Sequence, residues 1–168
     1  MAKVTLKGKT ISTNGELPKI GSAAHDFQLV DQELNNHSLK NFQGKRKLLS
    51  IVPSLDTAVC STMTKKFNEK VKGHHEVVVL VISADLPFAQ KRFCTQENVR
   101  NIVTLSMMRS KDFAMDYGVL IQEGPLAGIC ARAVVVLDEK DRVVYTQLVP
   151  EITEEPDYEK ALSHLFKT

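Results

Sequence analysis

Neither sign of charge dominates this chain: 22 Lys and Arg stand against 20 Asp and Glu in 168 residues, a formal net charge of +2. Such a balance supplies no whole-chain field for nucleic acid, and no nucleic-acid partner is expected. The one dense basic run, Lys45-Arg46-Lys47, lies between Gly44 and the apolar stretch Leu48 to Val52, and reads as a solvated turn feeding a strand. Long apolar runs are also missing. No stretch approaches membrane-spanning length, and Met1 to Lys9 has neither the apolar run nor the small-residue cleavage site of a secretory signal, so a soluble, cytoplasmic protein is expected. Cysteine is scarce: Cys60, Cys94 and Cys130 are too few and too far apart for a secreted disulfide scaffold, and no Cys-x-x-Cys pair suggests zinc. His25, His37, His74, His75 and His164 show no metal-ligand spacing, so no metal, haem or other bound cofactor is expected. Repeats, low-complexity tracts and linkers are lacking, which leaves a single domain over residues 1–168.

What is present is a globular composition, 43% apolar and 25% charged, arranged in a clear pattern. The first residues, 1–15, hold two β-prone stretches around Gly8 and are expected to form an N-terminal β-hairpin extension. Phe27 to Leu39 repeats that pattern weakly, with Asp31, Asn35 and Asn36 as turn residues. Five β-branched runs then mark a sheet: Leu48 to Val52, Val77 to Ser83, Ile102 to Leu105, Ala133 to Leu137 and Val143 to Val149. Between the first two, Met63, Phe67 and Val71 recur at helical spacing, predicting an amphipathic helix from Cys60 to Lys72 that Gly73 ends. Asp85 is expected to cap a second helix through Pro87 to about Cys94, Ser110 to start a short third, and Pro156 to open a last one. Strand and helix alternating before a hairpin and a final helix predict an α/β sandwich, a central mixed sheet flanked by helices, which is the layout of a thioredoxin-like domain.

One junction concentrates reactive chemistry. Pro53-Ser54-Leu55-Asp56-Thr57-Ala58-Val59-Cys60 joins a predicted strand to a predicted helix. A cysteine in a first helical turn faces unsatisfied amides and the positive end of the helix dipole, which favours thiolate over thiol. The Thr57 hydroxyl can turn toward the same pocket, and Pro53 narrows the loop without offering an amide to water. The chemistry suited to this arrangement is in-line attack of sulfur on one oxygen of an O–O bond, leaving a sulfenic acid and expelling water or an alcohol.

These residues resemble the peroxiredoxins, whose active-site loop reads Pro-x-x-x-Thr/Ser-x-x-Cys, matched here by Pro53, Thr57 and Cys60. More narrowly, the loop followed by Lys66-Phe67-Asn68 is similar to the thiol peroxidase branch, atypical two-cysteine enzymes. The likeness continues through Arg92-Phe93-Cys94, Leu126-Ala127-Gly128, Ala131 to Val136 and Glu154 to Tyr158. The resemblance implies that Cys60 is the peroxidatic residue, Cys94 the resolving residue and Arg132 the active-site arginine. It implies further an intramolecular Cys60 to Cys94 disulfide reduced by thioredoxin, hydrogen peroxide and organic hydroperoxides as substrates, and a homodimer with its interface near the active-site loops.

Local pattern alone leaves other roles open. Cys94, beside Phe93 at the end of an amphipathic helix, suits core packing, with Cys60 then resolved by an outside thiol. Arg132 suits pairing with a carboxylate; Arg109 is a weaker candidate for the pocket. Cys130 lies two residues before Arg132, on the same face if the strand has already begun, and reads as a buried thiol. Met107, Met108, Phe88, Phe93, Leu120, Ile121, Leu126 and Ile129 are candidates for an apolar substrate rim or for core and dimer contacts. A non-catalytic redox sensor or binding module whose oxidised form docks a partner is the rival from another class; the binding module is disfavoured because recognition alone does not require Pro53, Thr57, Cys60 and Arg132 together.

Overall fold

The computed structural model describes residues 1–167. Its centre is β5 (Arg46–Ile51), which pairs in parallel with β6 (Val77–Ser83) and antiparallel with β8 (Ala133–Leu137). Adding β3 (Leu29–Val30), β4 (Asn36–His37), β7 (Val103–Ser106) and β9 (Val143–Leu148) gives a seven-stranded mixed sheet ordered β4-β3-β7-β6-β5-β8-β9. The central strands are apolar on both faces because both are covered. Their alternation splits the core: Leu49, Ile51, Leu80, Ile82, Val135 and Leu137 pack to one side, and Leu48, Val79, Val81, Val134 and Val136 to the other.

Helices α1 (Ala58–Lys70), α2 (Pro87–Gln96) and α4 (Tyr158–Leu165) contribute Met63, Phe67, Phe93, Ala161 and Leu165 to the second side. The short helix α3 (Asp112–Asp116) contributes Phe113 and Ala114 to the first. The α/β sandwich, its mixed sheet and flanking helices therefore stand as expected, and the limits of β6 and β8 coincide with those of the apolar runs. Gly73, at φ +82°, follows the end of α1. Among the described residues no helix is long and apolar enough to cross a membrane.

Three local expectations change. Lys45-Arg46-Lys47 is a solvated turn only at Lys45, which is exposed in a bend; Arg46 and Lys47 already belong to β5, and Lys47 is fully buried with its ammonium donating to Asp141 Oδ1 at 2.5 Å. The Arg46 guanidinium meanwhile donates to the carbonyls of His164 and Leu165 at the end of α4, where helical carbonyls lack partners. Helix α4 opens on Asp157, whose side chain accepts from the Lys160 amide, with Pro156 outside it. Asp85 caps nothing; α2 begins after Leu86 with Pro87 in its first turn, and the Asp85 carboxylate turns elsewhere.

Outside the main sheet, β1 (Lys3–Leu6) and β2 (Lys9–Ser12) form the expected N-terminal hairpin. Its two turn residues, Lys7 and Gly8, both have positive φ, as a tight hairpin requires. Val4 and Ile11 point inward onto Ile121, Ala131 and Ile152. Burying two such side chains stabilises the docked hairpin by roughly 1.5–3 kcal/mol each. Backbone bonds finish the seam: the Thr5 amide donates to Pro150 O at 2.7 Å, and the Ile152 amide donates to Thr5 O at 2.9 Å.

Candidate active site

The chain leaves β5 at Ile51 and enters α1 at Ala58, so the loop from Pro53 to Thr57 sits at the carboxyl edge of the central strand. Pro53 is buried, Thr57 exposed, and Cys60 occupies the first turn of α1 with no exposed surface. Thr57 has the extended backbone of an N-cap, yet its side chain does not cap; the hydroxyl donates instead to Ser54 O at 2.9 Å. The opening amides of α1 therefore receive no side-chain cap and remain available to an incoming electronegative atom.

Asp85 holds this loop in place, a part the sequence did not suggest. Its Oδ1 accepts from the Ser54 hydroxyl at 2.7 Å, and its Oδ2 accepts from the Leu55 amide at 2.7 Å and the Ser83 hydroxyl at 2.8 Å. Its own carbonyl accepts from the Ser106 hydroxyl at 2.5 Å. One residue thus ties the loop before Cys60 to the ends of β6 and β7 and to the approach of α2. No local pattern signals bonds spanning 30 and 31 positions.

Arg132 lies immediately before β8 and is 2% exposed. Its Nη1 stands 3.0 Å from Cys60 Sγ and 3.7 Å from Met63 Sδ, while Nε donates to Ile152 O at 2.9 Å. Nη2 makes no hydrogen bond among the described residues, so one arm of the guanidinium is free to donate to a ligand. Hydrogen bonds from Tyr158 and Lys66 hold Glu155 below its ordinary value, with a smaller pull from Arg132, which also offsets part of the upward shift of Tyr158 that burial and Glu155 cause. Tyr158 donates to Glu155 Oε1 at 2.7 Å, and the Lys66 ammonium shares that oxygen at 3.1 Å. Arg109 is elsewhere, bonded to Asn36 and Leu34.

A cleft of about 340 Å³ opens between the start of α1 and the end of α2, lined by Thr57, Ala58, Ser61, Arg92 and Phe93 among others. Of the apolar residues considered for a rim, Phe93 lines it. Ile121, Leu126 and Ile129 pack beneath the N-terminal hairpin, Leu120 and Met107 belong to the first side of the core, and Phe88 and Met108 are exposed.

The three cysteines are free thiols in three surroundings. Cys94, within α2, is half-buried; burial raises its thiol, with a hydrogen bond to Gln32 acting the other way. Cys130 is fully buried beside Met107 Sδ at 3.6 Å, and burial pushes its thiol up to about 12. The condition for its sharing a face with Arg132 is not met, because β8 starts only at Ala133. Cys130 joins the first side of the core, whereas Arg132 reaches Cys60 on the second.

The chain and its fold have counterparts among known proteins. The family model described as Redoxin matches residues 19–162. A thiol peroxidase of Leptospira interrogans is 50% identical over 165 residues, spanning 97% of this chain and 96% of its own. Among solved structures, a peroxiredoxin-like protein from Aquifex aeolicus superposes with a TM-score of 0.93 at 44% identity, covering 98% of this chain and 96% of that one. A thiol peroxidase from Chromobacterium violaceum superposes with a TM-score of 0.88 at 25% identity, covering 94% and 91%.

Proposed function

The chain belongs to the thiol peroxidases of the redoxin family, and from that premise we propose that it reduces hydroperoxides with Cys60 as the nucleophile. The observation that carries the reading is the 3.0 Å approach of the Arg132 guanidinium to the Cys60 sulfur, at the uncapped start of a helix. A fixed positive charge and a helix N-terminus both favour sulfur as thiolate, the attacking species. The thiolate attacks one oxygen of the O–O bond; the bond breaks heterolytically, sulfur is oxidised to sulfenic acid, and the departing oxygen takes a proton to leave as water or an alcohol. Arg132 Nη2 and the α1 amides donate to the oxygens as negative charge passes across them, and Thr57 borders the entry. Pro53 closes the inner side of the loop.

In the second half-reaction the Cys94 sulfur attacks the Cys60 sulfenic acid, forming the disulfide and releasing water. Cys60 is sealed and Cys94 is held within a helix, whereas a disulfide needs the two Cα atoms within about 7 Å. The closing step brings the start of α1 and the end of α2 to that separation, with Cys60 leaving its sealed place. An external dithiol of the thioredoxin type restores both thiols, and a cytoplasmic setting suits a cycle closed in this way. The cysteines carry the electrons, so no bound cofactor enters. Exposed Leu86, Phe88 and Met108 near the start of α2 support a homodimer joined beside the active-site loops.

Treating the reduced protein with one equivalent of hydrogen peroxide and mapping disulfides by mass spectrometry tests the cycle, together with turnover on thioredoxin, its reductase and NADPH. The expected product is a Cys60 to Cys94 link within one chain. Rapid oxidation without that link defeats the two-cysteine route, and stoichiometric oxidation without turnover under any reductant favours a sensor.

A further inference from the structure

We infer that Glu151 is a positioning residue for the Arg132 guanidinium, acting through the adjacent Ile152 carbonyl and the N-terminal hairpin to which both are tied. The inference rests on the reading of Arg132 as the partner of the Cys60 sulfur.

Arg132 has no carboxylate at hydrogen-bonding distance among the described residues; besides its two sulfur contacts, its protein partner is Ile152 O, bonded to Nε. A guanidinium is planar and rigid, so fixing Nε fixes the direction in which both Nη atoms point. Whatever aims the Ile152 carbonyl therefore aims the donor facing Cys60. Three restraints converge there. The Ile152 amide donates to Thr5 O at 2.9 Å, and its side chain, 4% exposed, is packed against Val4, Ile11 and Ala131.

The third restraint is the Glu151 carboxylate. Its Oε1 accepts from the Thr5 hydroxyl at 2.9 Å and the Gly8 amide at 3.0 Å, and its Oε2 accepts from the Thr153 amide at 3.0 Å and the Thr153 hydroxyl at 2.9 Å. One side chain thus reaches from the turn of the hairpin to the residue beyond Ile152, bracing the peptide between them. Hydrogen bonds from Thr153 and Gly8 hold this carboxyl down at about 2, so it is an anion throughout the neutral range. All four donors are uncharged, and the carboxylate forms no ion pair among the described residues. The hairpin, far from Cys60 in sequence, is thereby one bonded chain away from it: Gly8 and Thr5 to Glu151, then Ile152 O, Arg132 and Cys60 Sγ.

The test follows two quantities, the pH midpoint for alkylation of Cys60 by iodoacetamide and the second-order rate of hydrogen peroxide reduction. Glu151→Ala is expected to raise the midpoint by about 0.5–1 pH unit and slow peroxide reduction about three- to tenfold, since a displaced charge loses part of its hold on the thiolate. Thr5→Val, which removes one of the four donors, should move both the same way by less. In an Arg132→Ala background, adding Glu151→Ala should change neither quantity. A variant that melts earlier yet keeps its midpoint and rate would make Glu151 a purely structural residue and overturn the inference; Thr5→Val decides the matter if Glu151→Ala fails to fold. If Arg132→Ala leaves the midpoint unmoved, the underlying reading of Arg132 fails instead.

Discussion

Cys60 and Cys130 are both completely shut off from solvent, each within a few residues of an element boundary, and both reduced. They differ in what they face. Cys60 looks onto a guanidinium from the first turn of a helix, whereas Cys130 looks onto the Met107 thioether and the apolar side of the core, where burial raises its thiol to about 12. The chain separates the two environments between Cys130 and Arg132, sending one side chain to each face of the sheet just before β8 starts. Burial alone therefore makes an inert thiol; burial opposite a fixed cation and open amide groups makes a site.

The hardest way to break that contrast is to remove each sulfur. Cys60→Ser should abolish peroxide consumption, while Cys130→Ala should leave it intact and cost about 1 kcal/mol or somewhat more of stability for the small cavity, read by denaturant unfolding. Activity retained in the first variant, or lost in a folded second, would erase the distinction. The contrast sharpens through the order of alkylation under native conditions, followed by peptide mapping. Cys60 should react through transient opening of its loop, Cys94 should gain reactivity only as pH rises because burial raises its thiol, and Cys130 should stay unlabelled until the protein unfolds.

The smallest effect belongs to the brace behind the site. The folded-state value of Glu151 lies below its ordinary 4.5, at about 2. Its stabilising contribution is thus complete above 4.5 and disappears as pH falls toward 2. The melting temperature of the wild type should exceed that of Glu151→Gln near neutrality, and the gap should narrow across that acid window; a gap that is constant with pH would mean that the carboxylate form contributes nothing.

Much of this was legible in the sequence because it is local. The β-branched runs locate β6 and β8, and Met63, Phe67 and Val71 locate the buried stripe of α1. Pro53, Thr57 and Cys60 share one short loop whose meaning survives without coordinates. Arg132 was reached through resemblance, since nothing adjacent to it marks its direction. Asp85, Glu151 and the Ile152 carbonyl were invisible because their bonds join separate segments, and a plausible local role, helix capping, stood ready to mislead at Asp85. Lys47 misled for the related reason that its partner, Asp141, lies 94 positions away.

The guanidinium that faces Cys60 lies 72 positions after it, and the carbonyl that orients that guanidinium a further 20. During synthesis Cys60 thus emerges well before its partner, and the set is complete only once Ile152 has followed, just ahead of the last helix. A growing chain carries the sulfur without the means to use it, so peroxide in the cell meets an unfinished polypeptide as an unassisted cysteine and a finished one as an enzyme.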